Sequence, residues 1–330
     1  MKRIFIDGSA GTTGLRIRER LAGRADIEVV ALPEELRKDA SARRAALNGC
    51  DVAMLCLPDA AAVEAAAMVE NPEVVVIDTS TAHRVADGWE YGFPELAGRR
   101  ESIAKAKRIA NPGCHASGFI ALVEPLVRAG VIAPSARLSS FSLTGYSGGG
   151  KKMIAEYEKN HLTTQPPACA KATAGKPNHL TTQPPNNLTY LGGRQYALGQ
   201  AHKHLPEMVK VCGLDFAPCF SPVVVPHFSG MEVTVFLHGV DPSAVREVYC
   251  AAYGVGSGMV KFAEDPSEGG FLSSAALSGR DDMEVSVFGT AERAILVSRF
   301  DNLGKGASGA AIQNLNLVLG ACEGEGLVRG

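Results

Sequence analysis

The fold is decided by the stretch Met1-Lys-Arg-Ile-Phe-Ile-Asp-Gly-Ser-Ala-Gly-Thr-Thr-Gly-Leu-Arg-Ile-Arg-Glu-Arg-Leu21. Its first part, Arg3–Asp7, is a short apolar run that ends at a charge, as a buried strand does. A glycine-rich segment follows at once, and Thr12–Leu21 has the pattern of a helix. Strand, glycine turn and helix in this order form the first half of a βαβ unit, which predicts a parallel sheet.

The glycine-rich segment has the spacing G-x-x-G-x-x-G, a variant of the dinucleotide-binding fingerprint. Glycine there permits a tight turn, close approach of a pyrophosphate to the backbone, and close packing of helix on strand. The N–H groups at the start of the helix then face the phosphates. The context, directly after a first strand, is the one that the motif requires. The predicted cofactor contacts are Gly8, Ser9, Ala10, Gly11, Thr12, Thr13 and Gly14.

Further along, strands and helices continue to alternate. Short runs rich in Val and Ile read as buried parallel strands at Ile27–Leu32, Val52–Leu57 and Val74–Asp78. The segments between them predict helices over Asp39–Leu47 and Pro58–Glu70. The first third of the chain is therefore expected to be an α/β domain with a Rossmann-type parallel sheet.

After about residue 135 the pattern changes to alternation with period two, at Gly230–His238, Met283–Phe288 and Ala294–Phe300. Such strands predict an α+β domain with an antiparallel-rich sheet that is covered on one face. A final helix over about Ala307–Leu319 is long enough to return to the first domain. We expect a cofactor domain formed by residues 1–113 and 303–330, and a catalytic and oligomerisation domain formed by residues 114–302.

Composition excludes several classes of protein. The 330 residues, 46% hydrophobic and 21% charged, are typical of a globular chain of about two domains rather than a disordered one. A net charge of −2 gives no basic surface for nucleic acid, and no apolar run is long enough for a membrane helix. The eight cysteines lack zinc-binding spacings, so no metal site is expected. We expect thiols in a cytoplasmic protein.

One segment is repeated without change, at Asn160–Pro167 and again at Asn178–Pro185. Its polar residues and Pro-Pro pairs predict an irregular loop. Two copies are too few for a solenoid, so a local duplication in a surface loop is the favoured interpretation. A ligand role for His161 and His179 is the alternative.

The end of the second strand bears on the choice of cofactor. An NAD site usually has Asp or Glu at this position to bind the ribose 2′-hydroxyl, whereas Val29–Leu32 ends without an acid. Arg37 and Lys38 are close enough in sequence to bind a 2′-phosphate, which favours NADP. Glu34 and Glu35 keep NAD open.

The most informative segment for chemistry is Ile109-Ala-Asn-Pro-Gly-Cys-His-Ala-Ser-Gly118. Asn-Pro-Gly forces a turn after a short strand, and Cys114 then lies at or near the start of a helix that runs through Phe119–Val127. Because a helix N-terminus carries partial positive charge, it favours the reactive thiolate. We predict that Cys114 is a nucleophile; the alternative is a small capping or core residue.

A nucleophilic thiol needs a partner for proton transfer. His115 is adjacent in sequence, but neighbouring residues on a helix do not face each other. The better candidates are His202 and His204, since histidine titrates near neutral pH and an acid, Glu207, follows closely.

At this point the sequence resembles the N-acetyl-gamma-glutamyl-phosphate reductase family, and its shorter (type 2) subfamily in particular. The resemblance spans nearly the whole chain. The matching stretches are Gly8–Gly14, Asp78–Ser80, Tyr91–Glu95, Asn111–Cys114, Gly145–Gly150, His202–Glu207 and Asp301–Gly306.

The resemblance implies NADPH-dependent reduction of N-acetyl-glutamyl 5-phosphate to the 5-semialdehyde in arginine biosynthesis. It implies that Cys114 attacks the acyl phosphate to form a thioester, which hydride from NADPH then reduces. It also implies His202 as the acid–base residue with help from Glu207, although His204 stays open. Ser80 and Asn302 are implied as further cofactor contacts.

Two further expectations concern the substrate and the assembly. Ser147-Gly-Gly-Gly-Lys-Lys152 offers backbone and positive charge for a phosphate or carboxylate; a flexible helix-capping loop is the alternative. The resemblance implies a homodimer or homotetramer built through the α+β domain. Rival functions are a related acyl-phosphate reductase, of the aspartate-semialdehyde dehydrogenase or carrier-linked aminoadipate or glutamate type, and a non-catalytic NADP-binding redox sensor.

Overall fold

The computed structural model describes residues 1–161, 189–254 and 258–330, whose strands form two sheets. The strands in chain order are β1 (Lys2–Asp7), β2 (Ile27–Val30), β3 (Val52–Leu55), β4 (Val75–Asp78), β5 (Glu90–Tyr91), β6 (Arg108–Ala110), β7 (Ser139–Gly145), β8 (Arg194–Gln195), β9 (Cys219–Val225), β10 (Met231–His238), β11 (Val260–Phe262), β12 (Met283–Thr290) and β13 (Arg293–Phe300). The helices are α1 (Thr12–Leu21), α2 (Ala40–Asn48), α3 (Asp59–Ala67), α4 (Arg99–Lys105), α5 (Cys114–Arg128), α6 (Gly150–His161), α7 (Leu205–Cys212), α8 (Pro242–Tyr253) and α9 (Gly309–Leu319).

The first sheet has the strand order β2-β1-β3-β4-β6-β5, and every neighbouring pair is parallel. This confirms the predicted Rossmann-type sheet and its four strands. The second strand is shorter than predicted, since it ends at Val30 and Pro33 begins a short 3-10 turn over Glu34–Leu36. Pro33 cannot donate a ladder hydrogen bond, so the strand could not continue through this residue.

Both faces of this sheet are buried, as continuous apolar strands require. Ile4 and Ile6 of β1 pack with residues of α1, α4 and α9 on one face. Phe5, between them, packs with Leu47 of α2 and Ala65 of α3 on the other. The alternation along one strand thus fixes which helices cover which face. The last helix, α9, lies on the first sheet although it follows the second in sequence.

The second sheet has the order β11-β12-β13-β10-β7-β9-β8. Its centre is antiparallel, with Met231 of β10 opposite Phe300 of β13, as the period-two pattern predicts. Two pairs are parallel, β7 with β9 and β11 with β12, which makes the sheet mixed. The period of a strand does not reveal the direction of its neighbour.

Helix α5 covers one face of the second sheet, and its first residue is Cys114. The close approach depends on Gly118, because a Cβ added there would lie 2.5 Å from Val233 and 2.6 Å from Ser298. The sheet is therefore a rigid base for the start of α5.

A π-helical turn, Gly304–Ser308, precedes α9, so the regular helix starts two residues later than predicted. Asp301 Oδ1 accepts hydrogen bonds from the backbone N–H groups of Leu303 (2.6 Å) and Gly304 (3.0 Å), which holds the widened turn. Such turns are frequent at functional sites.

Two findings concern expectations on membranes and on the repeat. Within the described residues, each helix is too short or too polar to span a bilayer. The two copies of the repeated segment lie outside the described residues, except for Asn160 and His161 at the end of α6.

Candidate active site

Cys114 follows a turn that is held from several sides. The chain leaves β6, passes through Asn111-Pro-Gly113 and enters α5 at Cys114. Asn111 donates from its backbone N–H to Asp78 O (2.7 Å) and from its side chain to Ala307 O (3.0 Å). These bonds tie the turn to the end of β4 and to the turn before α9, and so fix the position of the thiol.

The thiol lines a cavity of about 430 Å³ between the first sheet and the loops of the second. The predicted residues that share this cavity are Cys114, His202, His204, Asn302, Thr12 and Thr13. Residues distant in sequence are thus brought together at the carboxyl ends of the parallel strands, where open α/β sheets bind ligands.

The protonation of Cys114 differs from the expectation. Burial raises the pKa of the thiol above its ordinary value, although the Arg84 guanidinium and the N–H group at the helix start oppose this. The helix N-terminus alone therefore does not produce a thiolate here, because the loss of hydration outweighs the partial charge. The resting group is the thiol.

His202 lies on the loop before α7 and is half-buried. Its Nδ1 accepts a hydrogen bond from the backbone N–H of His204, with an N···N distance of 3.1 Å. Burial, with the nearby cations Lys203 and Arg84, lowers the pKa of His202 to about 4. The ring is therefore neutral near pH 7.

His204 faces the same cavity but is more deeply buried, at 5% exposure. Burial and the Arg84 guanidinium hold its pKa well below the usual value. Its Nδ1 is buried and has no hydrogen-bond partner among the residues that the structure describes. A buried unpaired ring nitrogen is unusual and needs a functional or structural reason.

Glu207 does not line the cavity; it lies beneath the cysteine turn in α7, at 1% exposure. Its carboxylate accepts hydrogen bonds from Arg84 (2.8 Å), Tyr91 (2.7 Å) and the backbone N–H of Gly113 (3.1 Å). The described residues include no hydrogen bond from Glu207 to His202, so any help that it gives to His202 is indirect.

Arg84 is a cavity residue that the sequence interpretation missed. Besides Glu207, its guanidinium donates to the backbone oxygens of Asn111 (2.9 Å) and Thr79 (3.2 Å). It thereby connects the end of β4 to the cysteine turn. Its position, four residues after the Asp78–Ser80 stretch, was the available signal.

His115 and Tyr196 were missed as well. His115 Nδ1 is 2.7 Å from Ser142 Oγ, and its Nε2 is 2.6 Å from the Tyr196 hydroxyl. Both rings line the cavity, and burial lowers the pKa of His115 to about 3. Although His115 is next to Cys114 in sequence, both residues line the cavity, because residues of other helices, strands and loops form the rest of its wall.

The glycine loop has the shape that a dinucleotide needs. Gly8 has φ of +86°, and a Cβ there would collide with the backbone of Cys56. A Cβ at Gly14 would lie 2.7 Å from Gly8 O. Gly11, at the N-cap of α1, provides no side-chain cap, so the first N–H groups of the helix stay available for phosphate oxygens. The residues present therefore fit a pyrophosphate.

A second cavity, of about 670 Å³, adjoins this loop. Gly8, Ser9 and Ala10 line it together with Glu34, Glu35, Arg37 and Lys38. The acidic residues expected for a ribose 2′-hydroxyl and the basic residues expected for a 2′-phosphate therefore line the same cavity.

Two of the predicted cofactor contacts have side chains that are already engaged. The Ser80 hydroxyl donates to Asp78 (2.7 Å). Asn302 donates to Ser147 Oγ (3.0 Å) and accepts from the backbone N–H of Gly230 (3.0 Å). Asn302 lines the cavity with Cys114, whereas Ser80 is not among its lining residues.

The charge of the first cavity is one-sided. Its described lining includes the cations Arg84 and Lys203 and no Asp or Glu. Arg84 is neutralised by Glu207, whereas Lys203 forms no salt bridge in the described part of the chain. Ser147–Gly150 line the same cavity, as expected for a substrate loop, while Lys151 and Lys152 are exposed.

Two family models match the chain. One, described as semialdehyde dehydrogenase, NAD binding domain, covers residues 3–106. The other, described as semialdehyde dehydrogenase, dimerisation domain, covers residues 168–302.

Full-length relatives are similar to the chain. N-acetyl-gamma-glutamyl-phosphate reductase 2 of Nostoc sp. is 43% identical, and the match covers 98% of this chain and 99% of the relative. The enzymes named N-acetyl-gamma-glutamyl-phosphate reductase from Burkholderia lata (40% identical, 97% of each chain) and N-acetyl-gamma-glutamyl-phosphate reductase 2 from Pseudomonas putida (39%, 98% of each) are similar over the same extent.

Solved structures share the fold. Aspartate semialdehyde dehydrogenase II from Vibrio cholerae matches with a TM-score of 0.70 at 17% identity, over 97% of this chain and 98% of that one. Aspartate semialdehyde dehydrogenase with NADP from Candida albicans matches with a TM-score of 0.63 at 15% identity, over 97% and 99%.

Proposed function

The chain belongs to the N-acetyl-gamma-glutamyl-phosphate reductase family, and we propose that it reduces N-acetyl-glutamyl 5-phosphate to N-acetyl-glutamate 5-semialdehyde with NADPH, in arginine biosynthesis. One observation carries the proposal. Cys114 stands at the start of α5 in the same cavity as Thr12 and Thr13 of the glycine-loop helix and His202 of the second domain. In this proposal a nucleophile, a cofactor site and an imidazole that can bind the carbonyl oxygen share one cavity.

The reaction begins at Cys114. Its sulfur attacks the acyl carbonyl, a C–S bond forms, the bond to phosphate breaks, and the thiol proton leaves with the phosphate. The product is a thioester, which divides one difficult reduction into two easier steps. His202 faces the same cavity and donates a proton or a hydrogen bond to the carbonyl oxygen. The backbone N–H groups at the start of α5 stabilise the negative charge that develops there.

The fit of the glycine loop to a pyrophosphate supports NADPH as the cofactor, held by the loop Gly8–Gly14. Asn302, which lines the same cavity as Thr12 and Thr13, and Ser80 are proposed as further contacts. When bound, NADPH supplies the hydride that reduces the thioester. The choice of NADP over NAD is supported by Arg37 and Lys38 in the cavity beside the loop, and a structural neighbour is an NADP complex.

The charge of the cavity supports an anionic substrate. Lys203 lines the cavity and forms no salt bridge in the described part of the chain, although its charge acts on Asp59 nearby. The Arg84 guanidinium lies beside the cysteine turn. We assign Lys203 to the phosphate of the substrate and the loop Ser147–Gly150 to its carboxylate. Charge-assisted bonds to such oxygens are stronger than neutral ones.

We propose that Glu207 contributes to catalysis by position. It holds Arg84, and through the N–H of Gly113 it holds the turn that presents the thiol. A buried carboxylate that accepts three hydrogen bonds, one of them from a guanidinium, is held in place away from His202 and is poorly suited to exchange protons with that residue.

We further propose a homodimer, or a homotetramer that contains this dimer, formed across the open face of the second sheet. Phe236 lies opposite Ile295, and Ile295 lies opposite Phe288 in the next strand. Phe236 and Ile295 are 43% and 37% exposed, which is high for neighbouring apolar residues. The matching model over residues 168–302 is described as a dimerisation domain. Phe236→Glu should shift the sedimentation coefficient towards that of the monomer.

A cytoplasmic location is part of the proposal. Seven cysteines fall within the described residues and all are free thiols. Free thiols are typical of a reducing compartment.

The test is the reverse reaction: phosphate-dependent oxidation of N-acetyl-glutamate 5-semialdehyde with reduction of NADP, followed at 340 nm. We expect turnover at least tenfold faster than with aspartate semialdehyde, and Cys114→Ser should abolish it while NADPH binding is retained. Mass spectrometry should locate a trapped acyl group on Cys114.

Each failure has a separate meaning. NADPH binding without turnover would favour a redox sensor, and faster oxidation of aspartate semialdehyde would reassign the substrate. A Cys114→Ser variant within tenfold of the parent would remove the nucleophile. Loss of activity in His204→Asn but not in His202→Asn would transfer the acid–base role to His204.

A further inference from the structure

The loop that carries His202 has an unusual backbone. Ala197 and Gln200 have φ of 53° and 55°, in the left-handed region that residues with a Cβ rarely occupy. Such a conformation persists only where surrounding contacts impose it, and these outliers cluster at functional sites. The loop leads directly to three residues that line the catalytic cavity, His202, Lys203 and His204.

The contact that imposes this conformation is the side chain of Gln200. Its Nε2 donates to the backbone oxygen of Phe220 (2.8 Å), and its Oε1 accepts from the backbone N–H of the same residue (2.8 Å). The side-chain amide of Gln200 thus makes the pair of hydrogen bonds that a neighbouring strand would make with β9, at a position past the end of β8. Both bonds lock the loop to the sheet.

Phe220 transmits this anchoring to the imidazole rings. It is buried at 1% exposure, and its ring meets His202 edge to face at a centroid distance of 5.2 Å. It meets His115 in the same way at 5.3 Å. Gln200 therefore holds the backbone of Phe220. The Phe220 ring, together with the rings of His115, Tyr196 and His204, packs against His202 and sets its plane.

In the orientation so fixed, His202 Nδ1 receives the backbone N–H of His204. A ring nitrogen that accepts a hydrogen bond carries no proton, so the proton of neutral His202 is on Nε2. Nε2 has no hydrogen-bond partner within residues 1–161, 189–254 and 258–330, and His202 lines the cavity, so this nitrogen is available to a ligand. A neutral imidazole with this tautomer donates a hydrogen bond and cannot accept a proton at Nε2.

We propose that His202 acts as a neutral Nε2–H donor to the substrate's carbonyl oxygen, and that Gln200 is the positioning residue which presets this tautomer by gripping Phe220. The inference rests on the proposed reduction for its catalytic half. The thiol proton then leaves with the phosphate, so the acylation step needs no protein base. After hydride addition, the Nε2–H bond stabilises the alkoxide. The alkoxide reforms C=O as the C–S bond breaks, and the released thiolate takes a proton from water.

The tautomer is read directly by long-range ¹H–¹⁵N spectra of the substrate-free protein, with His202→Gln to assign the ring. We expect a protonated Nε2 and an unprotonated Nδ1. Gln200→Gly keeps the left-handed backbone without strain but removes the grip. It should mix the two tautomers and lower kcat at least tenfold with KM within about twofold.

Gln195→Ala is the matched control. Gln195 also donates its amide to β9, at Ser221 Oγ (2.6 Å), but it lies outside the loop, so both readouts should stay unchanged. A proton on Nδ1 in the parent protein overturns the inference, and so does a Gln200→Gly variant with parental tautomer and kcat. Because the spectra need no substrate, a chain with the expected tautomer and no reductase activity would instead overturn the proposed function.

Discussion

Replacing Glu207 by Gln removes one charge from a pair that is almost fully enclosed. The side chains of Glu207 and Arg84 are 1% and 7% exposed, and their N···O distance is 2.8 Å. Gln has the same shape but cannot neutralise the guanidinium, and one of the three donors that Glu207 accepts from loses its partner. Breaking a buried pair in this way costs about 3–5 kcal/mol.

The control is Glu90→Gln. Glu90 pairs with Arg99 at 2.6 Å, but the two side chains are 24% and 34% exposed. Pairs open to water contribute about 0–1 kcal/mol. Urea unfolding, followed by the fluorescence of the single tryptophan and by circular dichroism, should therefore separate the two variants clearly.

A double variant, Arg84→Met with Glu207→Gln, tests whether the effect comes from the charge left behind. The free energy lost should be smaller than the sum of the single losses by about 1–3 kcal/mol, since the two sites are coupled. A Glu207→Gln loss under about 1 kcal/mol, or strict additivity, would refute the view of Glu207 as the anchor of the cysteine turn.

Three further predictions concern charge. Lys203→Gln should raise KM for phosphate in the reverse reaction about tenfold or more and leave KM for the aldehyde unchanged. Lys210→Gln, on the exposed side of α7, should change neither KM. Equal effects of Lys203→Gln on the two KM values would contradict the phosphate assignment. Because the pKa of His115 is lowered to about 3, the unfolded chain binds more protons than the folded chain between about pH 6.5 and pH 3, so the free energy of unfolding decreases as the pH is lowered through this range. His115→Gln should reduce the slope of this dependence by about 1.4 kcal/mol per pH unit. An unaltered slope in urea melts would exclude this contribution of His115. Replacing Arg37 and Lys38 together by Gln should raise KM for NADPH about tenfold and leave KM for NADH unchanged; parallel changes would mean that neither residue reads the 2′-phosphate.

The first sheet could be predicted because burial on both faces leaves a strong local signal. Runs such as Val52–Leu55 and the three residues before Asp78 in β4 are continuously apolar, and the glycine loop marks the first turn. The short edge strands Glu90–Tyr91 and Arg194–Gln195 carry no such signal, since two residues show no period. The parallel pairing of β7 with β9 is set by the long connection between them, which a strand's own sequence does not encode.

The residues of the candidate site also divide into those that a local sequence pattern predicts and those that only the fold brings together. Cys114, His202 and His204 were predicted because each stands in a local pattern of turn, helix start or paired histidines. Arg84 and the His115–Tyr196 contact depend on residues 81 to 123 positions apart, and no local rule reports such contacts. Glu207 follows His202 closely in sequence, but α7 begins between them and turns the carboxylate towards Gly113.

The protonation of Cys114 shows why its helix position is an incomplete argument. Partial charge at a helix start favours the thiolate, but burial raises the pKa of this thiol. No side chain of the described residues accepts a hydrogen bond from it, and the nitrogen that His202 offers to the cavity already holds a proton. In the proposed reaction, the phosphate of the substrate is the acceptor of the thiol proton. An unionised thiol is also a poor target for oxidants, so under the proposed reaction the nucleophile would form only when an acyl phosphate is bound and receives the thiol proton.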